Sequence, residues 1–179
     1  MAGLTIELPP QRTQNAVNER RWRELLDDPE LVRFEGRVET NRHGHVIMTP
    51  PPTPTHGSYQ SEIAHQLRLR MAHGRVLTEC PVSTADGVKA TDVAWASPEA
   101  MRELGDRVSF PRAPEVCVEV QSPRNSDTEL REKSALYFDA GALEVWICSG
   151  SGVMAFWSRQ GQIPASTLVP DCPSRIVLA

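Results

Sequence analysis

The run Glu115-Val116-Cys117-Val118-Glu119-Val120-Gln121, closed by Pro114 on one side and Pro123 on the other, constrains this chain more than any other stretch. Valines at every second position indicate a buried strand, because β-branched side chains suit pleated backbone and proline ends the ladder. Directly afterwards, Ser126-Asp127-Thr128-Glu129 has the Ser-x-x-Glu spacing that opens a helix. That helix is expected to reach about Ala140, with Gly141 as its stop. Glu144 to Cys148 then reads as a second strand. Such a strand–helix–strand unit pairs its strands in parallel, with the helix crossing one face. Glu119 is the anomaly, since an ionised carboxylate inside an apolar strand needs a compensating partner.

The remaining segments complete a sheet. Residues 1–20 are polar and read as a flexible or loosely docked arm, and Glu19 to Leu26 as a short helix before Asp28-Pro29. Leu31 to Glu39 and His45 to Thr49 predict a hairpin around Asn41-Arg42-His43-Gly44. Pro50 to Pro54 reads as an extended connector. Tyr59, Ile63, Leu67 and Met71 recur every fourth residue, which predicts a helix from Ser58 to Ala72. Val76 to Val82 and Val88 to Ala96 predict strands joined by Ala85-Asp86-Gly87. A short helix is expected over Pro98 to Leu104, and further strands over Val153 to Trp157 and Arg175 to Leu178. No glycine-rich turn follows the first strand, which excludes a doubly wound nucleotide-binding fold. The fold class is α/β (α+β): a mixed central sheet flanked by helices, with an N-terminal β-hairpin. Length sets the organisation, since 179 residues suit one domain; 1–30 is read as an arm with a short helix and 31–179 as a single domain.

Composition removes several functions. Net charge is −4, from 23 acidic and 19 basic residues, which is not the footprint of a protein that holds nucleic acid by bulk charge. No apolar run approaches the roughly 20 residues needed to cross a bilayer. Met1 to Pro10 lacks the basic and apolar regions of a secretory signal, so a cytoplasmic location is expected. Cys80, Cys117, Cys148 and Cys172 include no Cys-x-x-Cys pair, which argues against a zinc ribbon or thioredoxin-type motif, and Cys117 and Cys148, inside apolar strand-like runs, read as buried free thiols.

Strand parity then gathers the chemistry. Cys117, Glu119 and Gln121 share one face of their strand, and Asp92 and Ala94 share one face of theirs. Asp92 and Glu119 converge if these strands are neighbours in register. On the helix that follows, Lys133 falls on the stripe of Leu130, Tyr137 and Ala140, which faces the sheet. Only Lys89 and Lys133 are lysines. Two carboxylates beside a lysine would suit Mg²⁺ or Mn²⁺, which prefers hard oxygen ligands and activates water near a phosphate. Each residue also has an ordinary role. Asp92 could serve a turn or edge, Glu119 could pair with an arginine, and Lys133 could snorkel to solvent. Glu62 could be a solvated helix position, and His56 a loop or cap residue.

The segment Ala113 to Pro123, then Lys133, Tyr137, Gly141 and Glu144-Val145-Trp146-Ile147, resembles the Uma-two family of endonucleases, in the PD-(D/E)XK restriction-endonuclease-like superfamily. Met48-Thr49-Pro50-Pro51 leading to His56, and Thr91-Asp92-Val93-Ala94-Trp95, belong to the same pattern. The resemblance spans about residues 30–160. It implies a restriction-endonuclease-like core whose metal site is an aspartate and a glutamate on adjacent strands. Asp92 matches the aspartate of the family's Pro-Asp motif, with Thr91 in place of proline. Glu119 matches the glutamate of its Glu-x-x-Ser-Pro motif. The wider superfamily has a lysine two positions after that glutamate; here the position is Gln121, which can orient water but cannot act as a base. Lys133 matches the helical lysine that stands in for it.

The first functional expectation is therefore a metal-dependent nuclease acting on DNA, with Asp92, Glu119, Gln121 and Lys133 at the site and Mg²⁺ or Mn²⁺ as cofactor. Glu62 and His56 are auxiliary candidates. Arg68, Arg70, Arg75, Arg124 and Arg131 are candidate phosphate contacts. Two-strand cutting would suit a homodimer. The alternatives are a nucleic-acid-binding protein with a decayed site, a hydrolase of a smaller phosphoester, and an interaction protein in which the three residues form only a buried ion pair.

Overall fold

A computed structural model describes residues 10–123 and 126–178. Its main body is a six-stranded sheet in the order β3-β4-β5-β6-β7-β8, formed by β3 (Arg75–Thr84), β4 (Gly87–Ala96), β5 (Val116–Val120), β6 (Glu144–Cys148), β7 (Met154–Ser158) and β8 (Gly161–Ile163). Strands β5 and β6 run parallel, and every other neighbouring pair is antiparallel. The expected mixed sheet is therefore present. A separate antiparallel hairpin precedes it, made of β1 (Arg37–Thr40) and β2 (Val46–Thr49).

Two helices cover the sheet from opposite faces, and parity along β5 separates their cores. Val116, Val118 and Val120 pack with Tyr59, Ile63 and Leu67 of α2 (Pro54–Arg70). Cys117, between them, packs with Tyr137 and Ala140 at the end of α4 (Asp127–Asp139). The connection into α4 carries the expected capping box. Ser126 Oγ accepts from Glu129 N at 3.2 Å, and the Glu129 carboxylate accepts from Ser126 N at 2.7 Å. A third helix, α3 (Pro98–Leu104), occupies the expected segment and is capped by Ser97.

Several expectations need correction. Residues 11–20 are not an arm: α1 runs from Gln11 to Leu26 as one helix. Its buried face is Gln14, Asn18, Trp22 and Leu25, so half of the inward stripe is amide and escapes an apolar pattern. Asn18 Nδ2 donates to Ser83 Oγ at 2.8 Å and Thr84 O at 2.9 Å, which docks the helix on the end of β3. Helix α2 begins at Pro54, inside the stretch read as a connector. Proline is well placed at a first helical position, and the Thr53 hydroxyl caps the turn by accepting from His56 N at 3.3 Å. The first hairpin strand is shorter than expected, because Leu31 to Arg33 form a turn. Arg175 to Leu178 is not a strand; it contributes one bridge, Arg175 to Val153, and buries Ile176. The hairpin lies so close to the β3–β4 turn that a Cβ at Gly87 would meet Thr40 O at 2.4 Å.

The C-terminal segment is held by a second buried glutamate. Glu144 on β6 is 1% exposed. Its carboxylate accepts from Trp146 Nε1, Ser166 Oγ, Thr167 N, Thr167 Oγ1 and Leu168 N, at 2.6–3.1 Å. Burial acts to raise its pKa, but these donors outweigh burial and hold it below the ordinary value. A depressed carboxylate pKa stabilises the fold above its ordinary 4.5, and that stability is lost as pH falls through the folded-state value. Glu144→Gln is expected to cost about 2–3 kcal/mol at pH 7 in urea unfolding, because charged acceptors are the stronger ones. The gap between parent and variant should narrow as pH drops below 4.5.

Candidate active site

Strands β4 and β5 pair through Val93↔Val118, Ala94↔Cys117 and Trp95↔Val116. Beyond Val93 side chains take over from the ladder. Thr91 Oγ1 donates to Val118 O at 2.9 Å, and Asp92 Oδ2 accepts from Val120 N at 2.6 Å. The strands are thus neighbours in the register that strand parity required. Asp92 and Glu119 come to the same end of the β4–β5 pair, each 1% exposed.

Different helices serve the two carboxylates. From α2, His56 Nε2 lies 3.4 Å from Asp92 Oδ2, and Gln60 Nε2 donates to Asp92 O at 2.9 Å. From α4, Lys133 Nζ donates to Glu119 Oε2 at 3.1 Å, and Tyr137 Oη donates to Glu119 Oε1 at 2.7 Å. Lys133 also bonds Ala90 O at 2.9 Å and Glu39 Oε1 at 2.9 Å. Arg37 links the halves. Its Nη2 donates to Asp92 Oδ1, and its Nη1 lies 4.0 Å from Glu119 Oε2. The same guanidinium grips Glu79 with two bonds, Nε to Oε2 and Nη2 to Oε1, each 2.9 Å.

Glu79 reaches this position through an irregular backbone. It has φ +49°, left-handed and uncommon for glutamate, and falls where the β3–β4 ladder skips between Thr78↔Val93 and Cys80↔Thr91. Such a conformation costs on the order of 1–3 kcal/mol and concentrates where a site demands it. Gln60 Nε2 steadies the carboxylate by donating to Glu79 Oε1 at 3.0 Å.

The electrostatics divide the pair. Burial acts to raise the Asp92 pKa, but its bond with His56 and the charge of Arg37 bring it down to about 2. Glu119 goes the other way. Burial pushes its carboxyl up to about 7, with Lys133 and Arg37 opposing and Asp92 adding to the rise. The hydrogen bond to Asp92 raises the His56 pKa, against burial. Burial lowers and Glu119 and Glu39 raise the Lys133 pKa, and the carboxylates prevail. Burial and then Glu119 raise that of Tyr137.

Asp92, Glu119, Lys133 and His56 are thus brought together, whereas other candidates lie elsewhere. The half-buried Gln121 side chain donates to Asp127 Oδ1 at 3.1 Å, away from the cluster. Glu62 accepts from Gln66 at 2.6 Å on the surface of α2. Arg68 and Arg70 sit at the C-terminal end of α2, about 18 and 21 Å along the helix from His56 at 1.5 Å per residue. Arg70 donates to Asp171 O at 2.8 Å. Arg75 opens β3, and Arg131 is exposed on α4. Arg124 lies outside the described residues.

Sequence reasoning missed Arg37, Glu39, Glu79 and Gln60. Arg37 and Glu39 alternate around Val38, so period two places both on one face of β1. Nothing local says that the hairpin folds back over β4. Glu79 also carries no local signal, since its role depends on a break in strand pairing.

Among the described residues no three of His, Cys, Asp or Glu are arranged to hold a metal ion. The donor chemistry nevertheless fits a hard divalent cation. Asp92 and Glu119 supply two buried carboxylates, and Mg²⁺ is commonly held by one or two carboxylates with water and phosphate completing its shell. A positive charge already lies against both carboxylates in the form of Arg37.

This is a restriction-endonuclease-like fold with a buried carboxylate–lysine cluster between its central strands and α4. A model of the Uma2 (Uma-two) family, described as "Putative restriction endonuclease", matches residues 22–167, and the chain belongs to that family. A crystal structure of a putative nuclease belonging to DUF820 from Anabaena variabilis shares the fold, with a TM-score of 0.60 and 18% identity over 74% of this chain and 83% of that chain. No curated protein matches significantly. No helix among the described residues is long and apolar enough to cross a membrane.

Removing Lys133 leaves Glu119 and Glu39 short of a counter-charge. Lys133→Met is expected to lower unfolding stability by about 3 kcal/mol at pH 8, as when one partner of a buried pair is deleted. Without Lys133 the Glu119 pKa rises further, so the deficit should shrink at pH 5, where Glu119 takes up a proton. Urea denaturation at the two pH values checks both statements.

Proposed function

We propose that this protein is a metal-dependent nuclease that hydrolyses phosphodiester bonds in DNA, with Asp92 and Glu119 holding Mg²⁺ or Mn²⁺. The observation that carries the reading is the meeting of two carboxylates, each 1% exposed, on neighbouring strands of the central sheet, with Lys133 3.1 Å from Glu119. Such a pair is costly to bury, and a purely structural role would be served as well by apolar residues. Membership of the Uma2 family supports the same chemistry. When bound, the metal would polarise the phosphate and lower the pKa of a water ligand.

The residues of the chain divide the remaining work. Asp92, ionised throughout the neutral range, provides the permanent negative charge of the site. Tyr137 fixes the orientation of Glu119 through its hydroxyl and leaves Oε2 as the oxygen that faces Lys133. Lys133 is held cationic by Glu119 and Glu39, so it positions a water or the scissile phosphate and does not serve as a base. The Gln121 side chain bonds Asp127, which leaves its backbone carbonyl as the group it could offer the site.

A second reading is a nucleic-acid-binding protein of the same fold without turnover. The pairing of Arg37 with Asp92 favours it, since that contact neutralises a metal ligand from within.

A cleavage assay separates the two. Supercoiled DNA, single-stranded DNA and RNA are incubated with Mg²⁺, Mn²⁺ or EDTA, beside Glu119→Gln and Glu119→Ala. The nuclease reading expects metal-dependent cleavage that falls at least 100-fold in both variants, with EDTA abolishing it. Full cleavage by the variants rejects the assignment of Glu119. Absence of cleavage with salt-dependent binding supports the second reading, because phosphate contacts weaken as salt rises.

A further inference from the structure

We propose that Arg37 is a built-in counter-cation for the two carboxylates, which a divalent metal must displace from Asp92 before it can occupy the site. The inference rests on the metal reading above and adds a residue that neither the sequence pattern nor the family match points to.

Three observations carry it. Arg37 is the one residue whose cationic head addresses Asp92, Glu119 and Glu79 together among the described residues. It therefore stands where a cation bridging Asp92 and Glu119 would be needed, and two cations cannot share that place without strong repulsion. The second observation is an alternative berth. Glu79 takes the guanidinium through two parallel bonds, and its side chain is 45% exposed, so Arg37 can leave Asp92 and remain paired on Glu79. The left-handed backbone of Glu79 aims its carboxylate at this exchange point. The third is the path of the main chain. The hairpin is anchored to β4 further along, where Ala90 N donates to Glu39 Oε1 at 2.9 Å and Val88 N to Thr40 Oγ1 at 2.9 Å. The Arg37 side chain can move while those anchors stay in place.

The consequence is a site that is stable without metal. Arg37 screens the repulsion between Asp92 and Glu119 and keeps their geometry. The cost is a metal affinity reduced by the free energy of breaking the Arg37–Asp92 contact.

The test is Mn²⁺ binding to the full, metal-stripped chain without nucleic acid, by isothermal titration calorimetry. The parent is compared with Arg37→Gln, with Glu119→Gln, and with Arg102→Gln on α3 as a control for the loss of one positive charge. Arg37→Gln is expected to bind Mn²⁺ at least tenfold more tightly than the parent, and Arg102→Gln to stay within twofold. Glu119→Gln should abolish binding. Equal affinity in parent and Arg37→Gln overturns the role of Arg37 and leaves the metal site standing. No binding in parent or Arg37→Gln overturns the metal reading and this inference with it. Should Arg37→Gln fail to fold, a crystal structure of the parent with Mn²⁺ decides. Arg37 retained on Glu79 but released from Asp92 supports the displacement, whereas Mn²⁺ on both carboxylates with Arg37 still on Asp92 refutes it.

Discussion

Glu119 sits in the middle of the sheet with 1% exposure, and the architecture around it answers the cost of placing a carboxylate there. Helix α4 delivers Lys133 and Tyr137 to its oxygens, one turn apart on the face that covers the sheet. The hairpin delivers Arg37 from the other end. Lys133 in turn binds Glu39, so the hairpin and α4 are tied to each other through the same charge. The crossover from β5 to β6, which parallel pairing requires, is what brings α4 over this face at all. Packing and charge therefore reinforce one arrangement, and removing Glu119 would leave Lys133, Tyr137 and Arg37 with fewer reasons to be where they are.

The chain solves the problem of a buried glutamate twice, in opposite ways. Glu144 is as buried as Glu119 but is surrounded by neutral donors from Trp146, Ser166, Thr167 and Leu168, which satisfy its oxygens and hold it ionised. That environment is closed and structural, since the donors pin the C-terminal segment to the sheet. Glu119 instead meets two cationic side chains and a second carboxylate, and its pKa is pushed up to about 7. A carboxylate in a balance of opposing charges can be rebalanced by a further ion, whereas one saturated by fixed donors cannot. This difference, more than burial itself, distinguishes the candidate active site from the structural clamp.

Most of the secondary structure was legible because the local signals agree with the tertiary arrangement. The valine alternation of β5, the capping box of α4 and the period-four stripe of α2 each carry their own physics. Only the second half of helix α1, Glu19 to Leu26, was legible, because the buried amides of its first half, Gln14 and Asn18, find partners on other elements. The start of α2 was hidden by a proline run in which only Pro54 is helical. At the site, Asp92, Glu119 and Lys133 could be gathered from strand parity and helix spacing. The fate of Gln121 could not, since a side chain at a strand end chooses among whatever neighbours the fold supplies.

Which residues share a face can be read from the chain alone, because periods of 2 and 3.6 are properties of the backbone and need no knowledge of the partners. Those periods and the crossover rule supply the strand–helix–strand unit and the faces that carry Asp92, Glu119 and Lys133, but their convergence also needs β4 to pair with β5. Which further side chains join Asp92, Glu119 and Lys133 is set by long-range packing. Arg37 and Glu79 are 42 residues apart, and Arg37 and Asp92 are 55 apart. Their meeting depends on how a hairpin folds over β4 and on a break in the pairing of β3. Contacts of that kind are set by the global packing of elements, and no local period in the chain encodes them.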